Sequence, residues 1–214
     1  MNRKNKSSSS EGVQVTDRYE IRLGGSGGQG IILMGIILAE AIGIYDHKFI
    51  AQTQSYGPEA RGGSSKSEVI VSEAEIDYPK AMKPDLLLVM NQKSCDDFYP
   101  DLKPEGLLIV DSTFVTQVPQ PRAFQIPFTR IAREKLKREM VANIVALGAL
   151  SQLTPIVSSK AIESAVLARV PKGTEKLNRD ALKAGMAAAK RAQKEWLRVE
   201  IPPEIPKEDL LDSY

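Results

Sequence analysis

Three glycines, Gly25, Gly27 and Gly30, spell G-x-G-x-x-G within the run Gly24-Gly25-Ser26-Gly27-Gly28-Gln29-Gly30. The run directly follows a short strand-like segment and opens onto a helix-like one, the context that gives this otherwise weak pattern meaning. Glycines permit a tight turn and close approach of another backbone or a phosphate. The free N–H groups and the dipole at a helix start favour an anion. The implied chemistry is phosphate or carboxylate binding, and the loop residues Gly25, Ser26, Gly27, Gly28, Gln29 and Gly30 are its candidates. A nucleoside triphosphate loop needs Gly-Lys-Ser/Thr, whereas Gly30 is followed by Ile31. A dinucleotide site needs an acid at the end of the second strand. Asp46 lies at about the right separation but precedes the next strand-like stretch, 48–53, which ends at Thr53-Gln54 without a carboxylate. NAD binding is therefore disfavoured but open, as is a glycine turn that serves close packing alone.

Few other residues could do chemistry. The single cysteine, Cys95, cannot by itself build a disulfide, a zinc site or an iron–sulfur cluster. It reads as a small half-buried residue near a helix start. The single histidine, His47, leaves little scope for a histidine base or ligand set and reads as structural or solvated. Arg61, in the Gly-rich loop 54–65, is a candidate phosphate partner because its planar fork pairs bidentately with phosphate oxygens. Its competing role is that of a loop anchor or interface residue. Lys48 and Lys66 read mainly as solvated charges. Asn143 stands among apolar helix positions, so its amide must find a partner, most simply a nearby loop.

The elements that would position these groups follow from hydropathy and turn residues. Strands are expected at 19–23, 48–53 and 67–72, with residues 24–30 as the turn. The continuous apolar runs 85–90 and 106–111 suit central parallel strands covered on both faces. An edge strand is expected at 122–128. Helices are expected at 31–42, apolar on nearly every side, and at 92–99, 131–153, 158–169 and 178–197. Ser158 or Ser159 would cap the fourth of these. The basic run 130–138 alternates with Ile131, Ala132 and Leu136, as the wet face of a half-buried helix would. Alternating strands and helices give an α/β fold, a three-layer, Rossmann-like, mostly parallel sheet with a helical C-terminal third on the same sheet.

Composition sets the outer limits. The chain has 214 residues, 42% hydrophobic and 26% charged, which is ordinary for a globular protein. A net charge of +2 and 6% aromatics give no reason to expect nucleic acid or an anionic membrane. Residues 1–17 read as a polar tail, residues 18–199 as a single α/β domain, and residues 200–214, with Pro202, Pro203 and Pro206, as an extended tail. No apolar signal core follows the N-terminus, and the longest apolar run, 31–44, is interrupted by Gly35, Glu40 and Gly43. A cytoplasmic protein is expected.

The glycine run, followed by Ser55-Tyr56-Gly57-Pro58-Glu59-Ala60-Arg61-Gly62-Gly63, resembles the gamma subunit of 2-oxoacid:ferredoxin oxidoreductases. Asp85-Leu86-Leu87-Leu88 and Asn143-Ile144-Val145-Ala146-Leu147-Gly148-Ala149 extend the resemblance, which runs over residues 19–186. The form of the Arg61 loop resembles the 2-oxoglutarate or branched-chain type more than the pyruvate type. The resemblance implies a subunit of an enzyme that oxidatively decarboxylates a 2-oxoacid to an acyl-CoA while reducing ferredoxin. It implies no catalytic residue here and a share in binding coenzyme A through the glycine loop and Arg61. Thiamine diphosphate, magnesium and iron–sulfur clusters would reside in partner chains: thiamine- and 2-oxoacid-binding subunits and a ferredoxin-like subunit or ferredoxin. The alternatives from the residues alone are a free-standing NAD- or nucleotide-dependent Rossmann-type enzyme and a non-enzymatic ligand-binding scaffold.

Overall fold

The computed structural model describes residues 18–55 and 64–196. The expected tails, Tyr56 and Arg61 lie outside these residues. Strands β1 (Arg18–Ser26), β2 (Phe49–Ser55), β3 (Ser64–Ser72), β4 (Leu86–Val89), β5 (Leu107–Asp111) and β6 (Ala123–Ile126) form one sheet in the order β2-β3-β1-β4-β5-β6. The helices are α1 (Ile31–Glu40), α2 (Gln92–Phe98), α3 (Phe128–Glu134), α4 (Ala142–Leu153), α5 (Ser159–Arg169) and α6 (Glu175–Trp196). Strands β1, β4, β5 and β6 are mutually parallel, whereas β3 runs antiparallel to both β1 and β2. The sheet is thus mostly parallel, as expected, with one reversed strand wedged between β1 and β2.

The two faces are covered unequally. Ile21, Leu23, Val69, Leu86, Leu88, Ile109 and Phe124 point into a core shared with α1 and α3 to α6. Leu87, Val89, Leu108 and Val110 meet Cys95, Leu102 and Val115 on the α2 side. Every residue of β4 is buried, the pattern of a strand with both faces covered. Farther along the second face the sheet turns polar. Arg22 donates from Nε to Glu68 at 2.8 Å and from Nη2 to the Ala81 carbonyl at 3.1 Å, and it also pairs with Asp101. Glu20 accepts from the Met82 and Lys83 amides at 2.7 and 2.9 Å. These buried charges fasten the connection between β3 and β4 beside the end of α2, and their geometry satisfies the demand that buried charges be paired.

Three expectations change. Strand β1 continues through Gly24, Gly25 and Ser26, which pair with Lys66, Ser65 and Ser64, so the true turn is residues 27–30. The expected helix over 131–153 is two helices. Helix α3 starts earlier, at Phe128, and α4 starts after a short 3-10 turn, Glu139–Val141. Between them Lys137 adopts a left-handed backbone, φ 54°, which interrupts helical hydrogen bonding. Cys95 is fully buried rather than half-buried. Helix α1 runs on into a π-helical segment, Ala41–Tyr45. Asp46, just beyond it, accepts from the Ser158 amide and hydroxyl at 2.7 and 2.8 Å, while Ser158 caps α5.

Helices α4 and α6 cross in direct backbone contact. A Cβ on Gly185 would lie 1.9 Å from the Val145 carbonyl oxygen, and one on Gly148 would lie 2.2 Å from that of Leu182. Gly185→Ala therefore forces the helices apart and is expected to cost about 2–3 kcal/mol, read as a lower denaturant midpoint with unchanged slope. Burial, then the nearby Asp96 charge, pushes the Cys95 thiol up from 9.0 to about 11. The raised value means that the thiol's contribution to stability is intact below pH 9 and is lost as pH rises through the folded value. At pH 8 the folded thiol should react with a disulfide reagent about a hundredfold more slowly than in the denatured chain from ionisation alone. Equal rates would show that Cys95 is accessible.

Candidate functional site

Strand β1 passes into α1 on one face of the sheet, and β4 passes into α2 on the other. Adjacent parallel strands whose connections leave on opposite faces open a crevice at their carboxyl ends, the usual ligand position in open α/β sheets. The glycine turn and the Met90-Asn91 segment form its two lips.

Side chains fix the turn. Gln29 folds back so that its Oε1 accepts from the Ser26 amide at 2.7 Å and its Nε2 donates to the Met90 carbonyl at 3.0 Å. Asn91 donates to the Ser26 hydroxyl and, through Oδ1, accepts from the Ser94 amide at 2.8 Å, capping α2. Gln29 and Ser26 are therefore spent on closing the loop. Gly25 is covered, since a Cβ there would lie 2.7 Å from Gln29 Oε1 and from the Ile31 side chain. Gly30 has φ 73° and is seated against Asn143, whose Nδ2 would lie 2.4 Å from a Cβ at Gly30. The Asn143 amide reaches the Gly30 carbonyl at 3.5 Å, so this side chain does meet a nearby loop, as its position among apolar residues implied.

Gly27 and Gly28 differ from the rest. A Cβ at either would meet nothing within 4 Å, and Gly28 also holds φ 89°. They are the part of the motif that faces open space. Behind them, α1 begins with no side-chain cap and no acidic residue in its first turn. This helix start can receive an anion through N–H groups and dipole. Gly28, Gln29, Met90, Phe114, Thr129 and Met140 border a hollow of about 80 Å³ beside the turn. Phe114 and Met140 are 41% and 80% exposed, a large apolar surface for a crevice mouth. Asp111, fully buried at the end of β5, accepts from the Thr129 amide at 3.0 Å and hydroxyl at 2.5 Å and from the Thr113 amide at 2.9 Å. It anchors α3 beside the crevice.

The sequence motif thus resolves into two roles, closure by Gly25, Ser26, Gln29 and Gly30 and exposure by Gly27 and Gly28. Arg61 lies outside the described residues. Lys66 pairs with Glu68 at 3.2 Å and Lys48 with Glu73 at 3.4 Å, so neither is a free charge at the turn. His47 is exposed with φ 58°. Asp46 is held by Ser158, which removes the one acid that a dinucleotide reading could use. Asn91, Asp111, Phe114 and Met140 were not singled out in the sequence reading. Asn91 and Asp111 each end an apolar strand, a signal available in the sequence. Phe114 and Met140 carry no local signal, because only tertiary packing brings them to the crevice.

Comparisons with known proteins agree with this architecture. The family described as pyruvate ferredoxin/flavodoxin oxidoreductase matches residues 20–188. The 2-oxoglutarate synthase subunit KorC of Methanocaldococcus jannaschii is 51% identical over 181 residues, 83% of this chain and 97% of the relative. The crystal structure of a keto/oxoacid ferredoxin oxidoreductase gamma subunit from Geobacter sulfurreducens shares 48% identity with a TM-score of 0.76, over 83% of this chain and 99% of that one. A 2-oxoglutarate:ferredoxin oxidoreductase from Magnetococcus marinus, solved with 2-oxoglutarate, coenzyme A and succinyl-CoA bound, shares the fold at 23% identity and a TM-score of 0.73, over 83% of this chain and 32% of that chain. The family match and the near full-length relatives together establish that the chain belongs to the pyruvate ferredoxin/flavodoxin oxidoreductase family, as a gamma-type subunit of a 2-oxoacid:ferredoxin oxidoreductase.

Proposed function

We propose that this chain contributes to coenzyme A binding and to assembly in an enzyme that oxidatively decarboxylates 2-oxoglutarate to an acyl-CoA with reduction of ferredoxin. The observation that carries the reading is the pair Gly27 and Gly28, open to solvent at an uncapped helix start in the crevice between β1 and β4. Coenzyme A suits such a site. Its pyrophosphate would lie at the α1 amides, with Arg61 supplying a fixed positive charge. Phe114 and Met140 would face its less polar portions. The thiol that this ligand brings is the acyl acceptor, and the chain's own residues bind and orient it rather than transform it.

In this reading thiamine diphosphate, magnesium and the iron–sulfur clusters belong to partner chains, with thiamine diphosphate-binding and 2-oxoacid-binding subunits and a ferredoxin-like subunit or ferredoxin as neighbours. Residues 18–199 act as one domain between two tails, and the complex works in the cytoplasm. No helix among the described residues is long and apolar enough to cross a membrane.

The test separates binding from folding. Gly27 has room for a side chain in the free protein, so Gly27→Leu should fold and assemble normally. In the assembled enzyme it should raise the KM for coenzyme A about tenfold, the loss of roughly 1.4 kcal/mol of binding, with the KM for the 2-oxoacid unchanged. Arg61→Ala should move the same constant in the same direction. Wild-type constants in both variants would exclude the turn and Arg61 as coenzyme A contacts.

A further inference from the structure

The glycine turn is held by a side chain that an anion on the turn need not touch. Ser26 and Gln29 are joined twice. The Gln29 amide donates to the Ser26 carbonyl at 3.2 Å, and the Ser26 amide donates to Gln29 Oε1 at 2.7 Å. The same carboxamide donates from Nε2 to the Met90 carbonyl at 3.0 Å, on the far lip of the crevice. Asn91, the next residue on that lip, donates to the Ser26 hydroxyl and accepts from the Ser94 amide at 2.8 Å. Both ends of one neutral group are therefore occupied, one on each lip, and Ser26 is tied to both.

These bonds divide the donors of the turn. The amides of Ser26 and Gln29 are taken. Those of Gly27 and Gly28 donate to nothing among the described residues. Nothing packs on this pair either, since a Cβ on Gly27 or Gly28 would meet no atom within 4 Å. Two adjacent glycines without packing have wide backbone freedom, and φ 89° at Gly28 is one of several conformations open to it. The shape of the exposed pair is therefore set by its flanks, Ser26 and Gln29, and the Gln29 carboxamide fixes both. Gln29 is half-buried and borders the hollow beside the turn, yet both its polar atoms are used in the clamp.

We propose, on the reading of this turn as a coenzyme A contact, that Gln29 is a positioning residue. It holds the Gly27 and Gly28 amides in the receptive arrangement and so sets the affinity of the turn without touching the ligand. A turn ordered in advance loses less freedom on binding, and affinity rises by that difference. The clamp needs an acceptor and a donor on one planar group, aimed at opposite lips. Glutamate, while ionised, keeps the acceptor but loses the donor, and it sets a carboxylate oxygen against the Met90 carbonyl. Protonated glutamate regains one O–H to give. Methionine has a similar size and offers neither bond.

Assembled enzymes carrying Gln29→Met or Gln29→Glu are compared with wild type and with Gly27→Leu. Gln29→Met should raise the KM for coenzyme A about tenfold, with kcat at saturating coenzyme A and the KM for the 2-oxoacid unchanged. Gln29→Glu should do the same at pH 8. Its coenzyme A affinity, taken relative to wild type at each pH, should recover as pH falls to about 5 and the carboxyl protonates. Gln29→Met should show no such recovery. In the ligand-free full chain, amide exchange at Ser26 should be about tenfold faster in Gln29→Met than in wild type. A wild-type KM in Gln29→Met beside a raised one in Gly27→Leu would overturn the positioning role alone. So would a raised KM in Gln29→Glu that does not recover at low pH, which marks a direct contact or plain packing. Faster exchange with wild-type constants in both Gln29→Met and Gly27→Leu would overturn the coenzyme A reading itself, leaving the clamp a structural tie.

Discussion

The close approach of Gly30 to Asn143 is the constraint on which the arrangement turns. A left-handed residue without a Cβ allows α1 to begin directly against the start of α4, and any other side chain would collide with the Asn143 amide. The start of α4 is thereby fixed relative to the glycine turn, and α4 sets the position of α6 through the Gly148 and Gly185 crossing. Helix α6 then delivers Trp196 to β6. A chain of close contacts links the crevice at one strand pair to the edge of the sheet at β6. Well-packed interiors transmit such positional constraints because they have little room to relax.

The sheet is stabilised in two different ways on its two faces. The α1 side is a continuous apolar core, and burial there supplies the main favourable term of folding. The opposite face is apolar only beneath α2. Over β1 and β3 it relies on Arg22, Glu68 and Glu20 to hold the β3–β4 connection. Buried ion pairs contribute little net stability against an apolar alternative but cost much when one partner is lost. Their use here is geometric, since they fix a long connection in one place. Arg22 also stacks over Phe98, 5.6 Å from its centroid, and so ties that connection to α2.

What the sequence made legible follows from how local each signal is. The runs around Leu86–Val89 and Leu107–Asp111 are apolar at every position, which only doubly covered strands require, and both formed as expected. The glycine turn and its helix were also legible. Its division into closing and exposed residues was not, because Gln29 and Asn91 act across a distance of about sixty residues. The antiparallel course of β3 was hidden for the same reason, since pairing direction is a property of two strands. The break between α3 and α4 was hidden by composition: residues 131–138 keep helical spacing, and the left-handed backbone falls on a lysine rather than on a glycine. Asn143 was legible in part, because a buried amide demands a partner even when the sequence cannot say which.

Physics and family resemblance carry different parts of the functional conclusion. Resemblance gives the reaction. Geometry offers an uncapped helix start at which the proposed anion would lie. A helix start contributes roughly 0.3–1 kcal/mol toward one negative charge, and at most about 2. The described residues that line the hollow beside the turn include no lysine or arginine, and Glu139 is among them. A doubly charged pyrophosphate held by such a turn alone would bind weakly. A cation from the Arg61 loop or from a neighbouring chain would raise that affinity by charge-assisted hydrogen bonds, each worth about twice a neutral one. A site built this way binds well only once its loop and its neighbours are in place. Ligand capture would then be tied to assembly, as the proposed share in coenzyme A binding requires.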